Sequence, residues 1–535
     1  MRQLVAALVL YLVLIQPNHP AAMTLGAFAL FPLELPPLLA LLMLAGTTRI
    51  GQSLRLALCL ALMAIVVLKL ADLGTFIAFN RGFNLAADFN LAPAAWELLK
   101  GSIGTGLAWL AGLALVLGLG LVALALWWAM GVWMCQHLPT KLRPAAVMVA
   151  IVTFSLAIAE IGQARRAWQL PPALAQALPG AAFTGRVGLE RVEQFRQTRK
   201  DLAQFRELAR NDPMRDAGPF LDRLAGRDLF LIYIESYGRS SFENPLYRPT
   251  HVTTLLEQEA ALRDAGLHMR SGWLRAPMVG GQSWLAHGSI ATGLWLDTQA
   301  RYRAMLSSGR QTLHHFAQEA GIRTVAIKPA HIFAWPEGAA FGFDAIYNAA
   351  DLGYSGEPFN WITMPDQFTF KALERLELAQ ANRPPVLAQV ALVSSHAPWV
   401  PVPELVDWEE IGDGTIFNQW ALSGDPPEVV WRDHDRVRDQ FRLAVDYSLQ
   451  TVGAWTERMA QTGAPLMVIL GDHEPARFVS GVDGYDVPIH IVGPADLVEG
   501  FAALGWSEGL IPDIAHRSRP MSELRDILLT TLSSE

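Results

Sequence analysis

Cysteine is almost missing from this chain: there are two thiols, Cys59 and Cys135, in 535 residues, and none beyond position 135. This excludes a disulfide framework or a thiolate metal cage anywhere in the C-terminal part. It leaves the compartment open, because a core of this size needs no covalent staples. Charge is scarce as well. Charged residues make up 17% and apolar residues 52%, whereas a soluble domain carries about 25% charged residues, so a wholly soluble protein is not expected. A basic excess is also lacking. The net charge of −8 provides no cationic stripe to follow a phosphate backbone, and no nucleic-acid partner is expected. Repeats and low-complexity tracts are absent.

The shortage of charge is uneven. Residues 1–162 hold 8 Lys/Arg and 5 Asp/Glu, and residues 163–535 hold 34 and 45. An apolar front precedes an acidic globular back, which predicts a transmembrane domain over 1–162, an amphipathic linker over 163–226 and a globular domain over 227–535. Five apolar stretches stand in the front: Gln3 to Gln16, Ala21 to Gly46, Leu54 to Phe76, Gly104 to Cys135 and Pro144 to Gly162. Read as about five spans, they form a transmembrane α-helical bundle. An inside N-terminus puts Arg2, Arg49, Arg55, Lys141 and Arg143 on the cytoplasmic side and only Arg81 and Lys100 in outer loops. The expected protein is therefore a multi-pass protein of the cytoplasmic membrane with its C-terminal domain on the periplasmic or extracellular side. Glu34, Lys69, Asp72 and Glu160 lie near segment ends or beside proline, which predicts snorkelling or interfacial positions. Asn80 to Lys100, with Phe83, Phe89 and Trp96, reads as an interfacial amphipathic segment or a plain loop. In the linker, Leu189, Val192, Phe195 and Leu202 are spaced as on one face of a helix.

Beyond the linker, apolar runs at Leu229 to Ile234, Thr324 to Ile327, Val386 to Val393, Leu466 to Leu470 and Val487 to Val492 read as strands. They alternate with helical patterns at Gln311 to Ala320, Gln367 to Ala381 and Val437 to Gln461, which predicts an α/β domain with a mostly parallel central sheet. Ligands in such sheets bind beyond the carboxyl ends of the strands. Three runs end in ligand-type residues: Glu235, then Gly471-Asp472-His473, then Ser394-Ser395-His396. Two carboxylates and an imidazole form a mixed oxygen and nitrogen set, suited to Zn²⁺ or Mn²⁺, with Mg²⁺ a further option. Gly280-Gly281-Gln282-Ser283 sets glycines before a hydroxyl that opens a helix. Ser283 is thus either a nucleophile activated at a helix N-terminus and by a cation or an ordinary N-cap.

The ordered set Ile234-Glu235-Ser236-Tyr237, Gly281-Gln282-Ser283, Phe341-Gly342-Phe343-Asp344, Ser395-His396-Ala397-Pro398 and Gly471-Asp472-His473 resembles the alkaline phosphatase and sulfatase superfamily. With a membrane front, it is similar to the membrane phosphoglycerol and phosphoethanolamine transferases such as lipoteichoic acid synthase. The resemblance implies a sulfatase-like domain in which Glu235, Asp472, His473 and Ser283 hold a metal, Ser283 is the nucleophile and His396 touches the transferred group. It also implies a membrane phospholipid donor and a glycan or lipid acceptor. The chain departs from those transferases in having serine for threonine at position 283, and Trp335-Pro336-Glu337 where the lipoteichoic acid synthases carry Trp-x-Arg. Leu285 and His287 do not fit the formylglycine signature of sulfatases.

Further candidates for supporting or substrate-binding roles are Arg239, His287, His331, Trp335 and His490. A surface ion pair competes for Arg239 and a core position for His490. The expected activity is metal-dependent transfer of a phospho-headgroup to an acceptor hydroxyl through a phospho-serine. The alternatives are a phosphodiesterase, phosphatase or sulfatase-like hydrolase, and a catalytically inactive membrane sensor.

Overall fold

The computed structural model describes the chain except residues 80, 89–94, 97–98, 101–102, 137, 170, 172–179, 334 and 535. Two compact units are present. The first comprises Met1–Ile77, Arg81–Phe89 and Gly106–Lys200, and the second Ala78–Asn80, Asn90–Thr105 and Asp201–Glu535.

Among the described residues, three helices of the first unit are long and apolar enough to cross a membrane: Arg49–Ile77, Thr105–Met134 and Thr140–Ala164. The expected count of five is not reached. The first apolar stretch forms the 14-residue helix Arg2–Ile15, which at 1.5 Å per residue covers about 21 Å, short of the roughly 30 Å hydrocarbon core. The second is broken into a turn at Pro20–Ala22, a short helix Leu25–Phe28, a strand Phe31–Pro32 and a helix Leu35–Ala45. Pro32, Pro36 and Pro37 prevent one continuous helix because proline lacks the backbone donor.

Lys69 and Asp72 do not snorkel. Both are fully buried and face the helix Phe183–Arg210 that follows the last long apolar helix. Lys69 Nζ donates to Thr184 Oγ1 at 2.9 Å and to the carbonyls of Val13 and Leu14, while Arg191 Nη2 donates to both oxygens of Asp72 at 2.5 Å. Glu34 accepts from the Gly185 amide at 2.9 Å, and Glu160 from the Ala182 amide at 3.2 Å. Hydrogen bonding to the linker, rather than exposure, is what keeps these groups inside an apolar bundle. The linker contains the helix Phe183–Arg210, and the first half of this helix is anchored. Of the Asn80 to Lys100 segment, Phe89 and its neighbours lie outside the described residues; Arg81 forms a two-pronged pair with Asp88 at 2.7 Å.

The second unit is built on a nine-stranded sheet. We label its strands β1 (Leu229–Ile234), β2 (His268–Arg275), β3 (Arg323–Lys328), β4 (Ala345–Asn348), β5 (Val386–Ala391), β6 (Leu466–Gly471), β7 (Asp486–Gly493), β8 (Ser507–Glu508) and β9 (Arg519–Pro520). The order is β8-β2-β7-β6-β1-β5-β3-β4, with β9 beside β2. Strands β6, β1, β5, β3 and β4 run parallel, whereas β7 is antiparallel to both β6 and β2. All six residues of β1 are buried, as the unbroken run Leu-Phe-Leu-Ile-Tyr-Ile demands: helices cover both faces, so no polar alternation is possible. Each of its large side chains contributes about 1.5–3 kcal/mol by leaving water. The central position of β1 carries the functional consequence. Its carboxyl end, flanked by those of β5 and β6, places Glu235, His396 and Asp472-His473 at one edge. The sequence reading overlooked β2 and β4, whose patterns mix charged and small residues.

Candidate active site

Glu235 and Ser236 follow β1 directly, and Ser236 has φ +59, a left-handed conformation costing a non-glycine residue about 1–2 kcal/mol. Asp472 holds this turn: its Oδ1 accepts from the Ser236 amide at 2.9 Å and from the His473 amide at 2.8 Å. Ser395 Oγ donates to the Glu235 carbonyl at 2.7 Å, tying the β5 end to the same turn. Glu474 accepts from the Ser240 amide and hydroxyl at 2.7 and 2.8 Å. It passes so close to Gly238 that a Cβ there would meet its carboxylate at 2.2 Å.

The segment carrying Ser283 is fastened to this turn by the Gly280 amide, which donates to the Glu474 carbonyl at 2.8 Å. Gly281 at φ +137 and Gln282 at φ +68 turn the chain into helix Ser283–Thr292. The N-cap is Gln282, and no side chain caps the helix. Ser283 is the first helical residue, so the N-cap reading does not hold. Its hydroxyl is directed elsewhere, donating to Glu235 Oε2 at 3.0 Å.

Ligand-type atoms of Glu235, Asp472 and His473 lie within 4.8 Å of one another, and all three residues are buried. His473 Nδ1 is 2.9 Å from the Glu474 carbonyl, which can only accept, so Nδ1 carries a hydrogen and Nε2 is the atom left to bind a further proton or a cation. That Nε2 is buried, lacks a hydrogen-bond partner and stands 3.1 Å from Glu235 Oε1. Two lone pairs at that distance require a proton or a cation between them. The same crowding shifts the proton equilibria. Burial and then repulsion from Glu235 raise Asp472 to about 8. Burial alone would lower His473, but the two carboxylates raise it to about 10. Burial would raise Glu235 too, yet the adjacent His396 and His473 hold it well below the usual carboxylate range. A buried acceptor set that traps protons fits a divalent cation.

His396 lies at the rim with Nε2 3.9 Å from Glu235 Oε1. Its Nδ1 donates to the Ala397 carbonyl at 2.8 Å, and Trp361 meets its ring edge-on at 4.2 Å. Burial keeps it below its ordinary pKa against the pull of Glu235. The supporting loop is held by Asp366, which the sequence reading did not single out. This fully buried carboxylate accepts from the Val393 and Ser394 amides at 2.8 and 2.9 Å and from Ser448 Oγ at 2.6 Å.

Lys328 was also missed, although it ends an apolar run as Glu235 does. It is buried, and burial lowers it to about 7. Its Nζ stands 3.2 Å from His287 Nδ1. The ammonium donates, so His287 bears its hydrogen on Nε2, where no partner meets it. Ser283 and His287, one turn apart on a helix, share a face. Nearby, the Lys328 ammonium lies 5.2 Å over the Trp335 ring, and His331 packs edge-on to Trp335 at 5.7 Å. Two residues take structural places instead. Arg239 spends its guanidinium on Glu243, Asp486 and the Ile514 carbonyl. His490 is a core residue with both nitrogens engaged, by Tyr237 at 3.1 Å and Ser271 at 2.7 Å.

Residues 281–490 match the Sulfatase family model, a stretch holding Ser283, His396, Asp472 and His473 but not Glu235. No curated protein sequence matches the chain. Among solved structures, the lipooligosaccharide phosphoethanolamine transferase A of Neisseria meningitidis is 13% identical over 98% of this chain and 95% of its own, with TM-score 0.48. The phosphoglycerol transferase GacH of Streptococcus pyogenes, solved with sn-glycerol-1-phosphate, is 14% identical over 63% and 80%, with TM-score 0.38. The periplasmic domain of EptC from Escherichia coli, solved with Zn, is 15% identical over 59% and 84%, with TM-score 0.35.

Proposed function

We propose that this chain, whose residues 281–490 match the Sulfatase family model, is a metal-dependent transferase that moves a phospho-headgroup from a membrane phospholipid to an acceptor hydroxyl through a phospho-Ser283. The observation that carries the reading is the Ser283 hydroxyl 3.0 Å from Glu235 Oε2, within the same cluster as the lone pair of His473. Zn²⁺ or Mn²⁺, held by Glu235, Asp472, His473 and Ser283, would lower the pKa of the serine hydroxyl and offset charge on the phosphoryl group.

The chain's own groups account for the remaining chemistry. The Lys328 ammonium and the His287 Nε2–H, two donors with no acid between them, bind phosphoryl oxygens. Ser283 Oγ attacks phosphorus as its proton passes through Glu235, to which the hydroxyl is hydrogen-bonded, to His396 Nε2 beside the other carboxylate oxygen, and the serine–phosphorus ester forms as the bond to the diacylglycerol oxygen breaks. His396 Nε2 protonates that departing oxygen. The acceptor hydroxyl, on a glycan or a lipid, then gives a proton to His396 as its oxygen bonds to phosphorus, and that proton returns through Glu235 to the Ser283 oxygen as the serine–phosphorus bond breaks. A membrane front gives a lipid donor access without leaving the bilayer. We place the catalytic domain outside the cytoplasmic membrane on the distribution of Lys and Arg.

The test is incubation of detergent-solubilised full-length protein with headgroup-labelled phosphatidylglycerol and phosphatidylethanolamine. Diacylglycerol release with label moving to an added glycan or lipid supports transfer. Label appearing only as water-soluble headgroup phosphate replaces transfer with hydrolysis, and no release with any divalent metal rejects the enzyme.

A further inference from the structure

The linker helix Phe183–Arg210 carries a feature that the phospho-transfer reading does not use. Within the first unit, a cavity of about 480 Å³ opens against its Arg191 to Arg199 stretch. The wall is apolar. Val192 and Phe195, each about half exposed, face Leu68 of the helix Arg49–Phe79 and Leu85. The same cavity is lined by Arg196 and Arg199. Positions 192, 195, 196 and 199 follow i, i+3, i+4, i+7 and share one helix face.

The arginines are not equivalent. Arg191 is committed to Asp72 and to the Phe83 carbonyl. Arg196 and Arg199 pair with no carboxylate among the described residues, and the nearby Glu193 is taken by Gln197 at 2.8 Å. Two uncompensated guanidinium groups on an apolar cavity, beside a helix able to cross a membrane, suit an amphiphile whose polar end is an anion. A free anion would gain nothing from the apolar wall. A zwitterionic headgroup would bring its own ammonium to the guanidinium groups.

We infer that this groove binds a phospholipid with a net negative headgroup, its phosphodiester meeting Arg196 and Arg199 and its chains lying along Val192, Phe195 and Leu68. The inference goes beyond phospho-transfer and does not depend on it, because binding is read without turnover. The full-length Ser283→Ala protein, which cannot consume lipid on the reading above, is reconstituted in nanodiscs. These hold equal phosphatidylglycerol and phosphatidylethanolamine in a phosphatidylcholine background. The protein is re-extracted, and the retained lipids are quantified by mass spectrometry. Two interfacial cations predict about thirtyfold enrichment of phosphatidylglycerol over phosphatidylethanolamine. Adding Arg196→Gln and Arg199→Gln, both exposed, should bring the ratio to within about twofold of the bulk, with an unchanged gel-filtration profile and melting curve. Adding Arg165→Gln and Arg166→Gln, exposed and outside the groove, should leave the enrichment intact. Retention in the bulk ratio, enrichment that survives the groove variant, or equal loss in the control variant overturns the inference.

Discussion

Replacing Ser283 with alanine separates a chemical role from a structural one, because the structure assigns this hydroxyl so little of the second. Its Oγ makes one hydrogen bond, to Glu235 Oε2, and it does not cap helix Ser283–Thr292, whose N-cap is Gln282. One hydrogen bond to a charged group is worth about 1.5–3 kcal/mol at most. Part of this returns when Glu235 engages His473 or a cation, so a stability change of about 1 kcal/mol or less is expected. The activity should fall by at least about 10³, some 4 kcal/mol of barrier, since removing the nucleophile of a covalent mechanism leaves only binding and electrostatic assistance. Diacylglycerol release from labelled phospholipid and thermal unfolding of the same preparation read the two quantities together. Retention of more than about a tenth of the activity would refute the nucleophile assignment. A loss of several kcal/mol of stability in step with activity would return Ser283 to a structural role.

Other outcomes follow from the same geometry. Asp366→Ala leaves the Val393 and Ser394 amides and Ser448 Oγ without their acceptor; at about 1–3 kcal/mol for each buried unsatisfied group, unfolding should shift by several kcal/mol. Asp366→Asn, which retains one acceptor oxygen, should recover most of it, and equal melting temperatures for the two variants would contradict this. Chelation should abolish activity and lower the melting temperature. Zn²⁺ or Mn²⁺ at 100 times its dissociation constant should restore about 2.7 kcal/mol, with no gain in Glu235→Gln as measured by differential scanning fluorimetry. His314 is buried, both ring nitrogens lack partners, and burial lowers it to about 3. Its folded pKa is below its unfolded value near 6.5. The unfolded state therefore binds the extra proton, and stability is lost as the pH falls from about 6.5 towards 3, at up to about 1.4 kcal/mol per pH unit. His314→Leu should flatten that slope in melts between pH 7 and 5 and cost little at pH 7; an unchanged slope would contradict the assignment.

Much of the architecture was legible because the central strands run parallel and are covered on both faces. The apolar runs at Leu229, Val386 and Leu466 had no other use; the first stops with its strand at Ile234, the second, broken only by Gln389, continues two residues past the strand end at Ala391, and the third stops one residue short of Gly471. Strands β2 and β4 escaped notice because their polar and small residues, such as Ser271, Gly272 and Asn348, gain their place from neighbours rather than from periodicity. The membrane front misled for the opposite reason. Hydropathy registers apolar content, but Pro32, Pro36 and Pro37 decide whether that content is one helix.

From sequence alone came the identity of the groups that can bind a cation or attack phosphorus, because a carboxylate, an imidazole or a hydroxyl has its chemistry wherever it stands. Tertiary structure decided which of them work together. It engages His490 with Tyr237 and Ser271, ties Arg239 to Glu243 and Asp486, and brings Lys328 to His287 across 41 positions of chain. It also carries Ser283 away from the cap position to Glu235, 48 positions earlier. The physical reason is range. Periodicity and strand ends are properties of neighbouring residues, whereas charge pairing, hydrogen bonding and metal ligation act over a few ångströms between segments that only the folded sheet brings together.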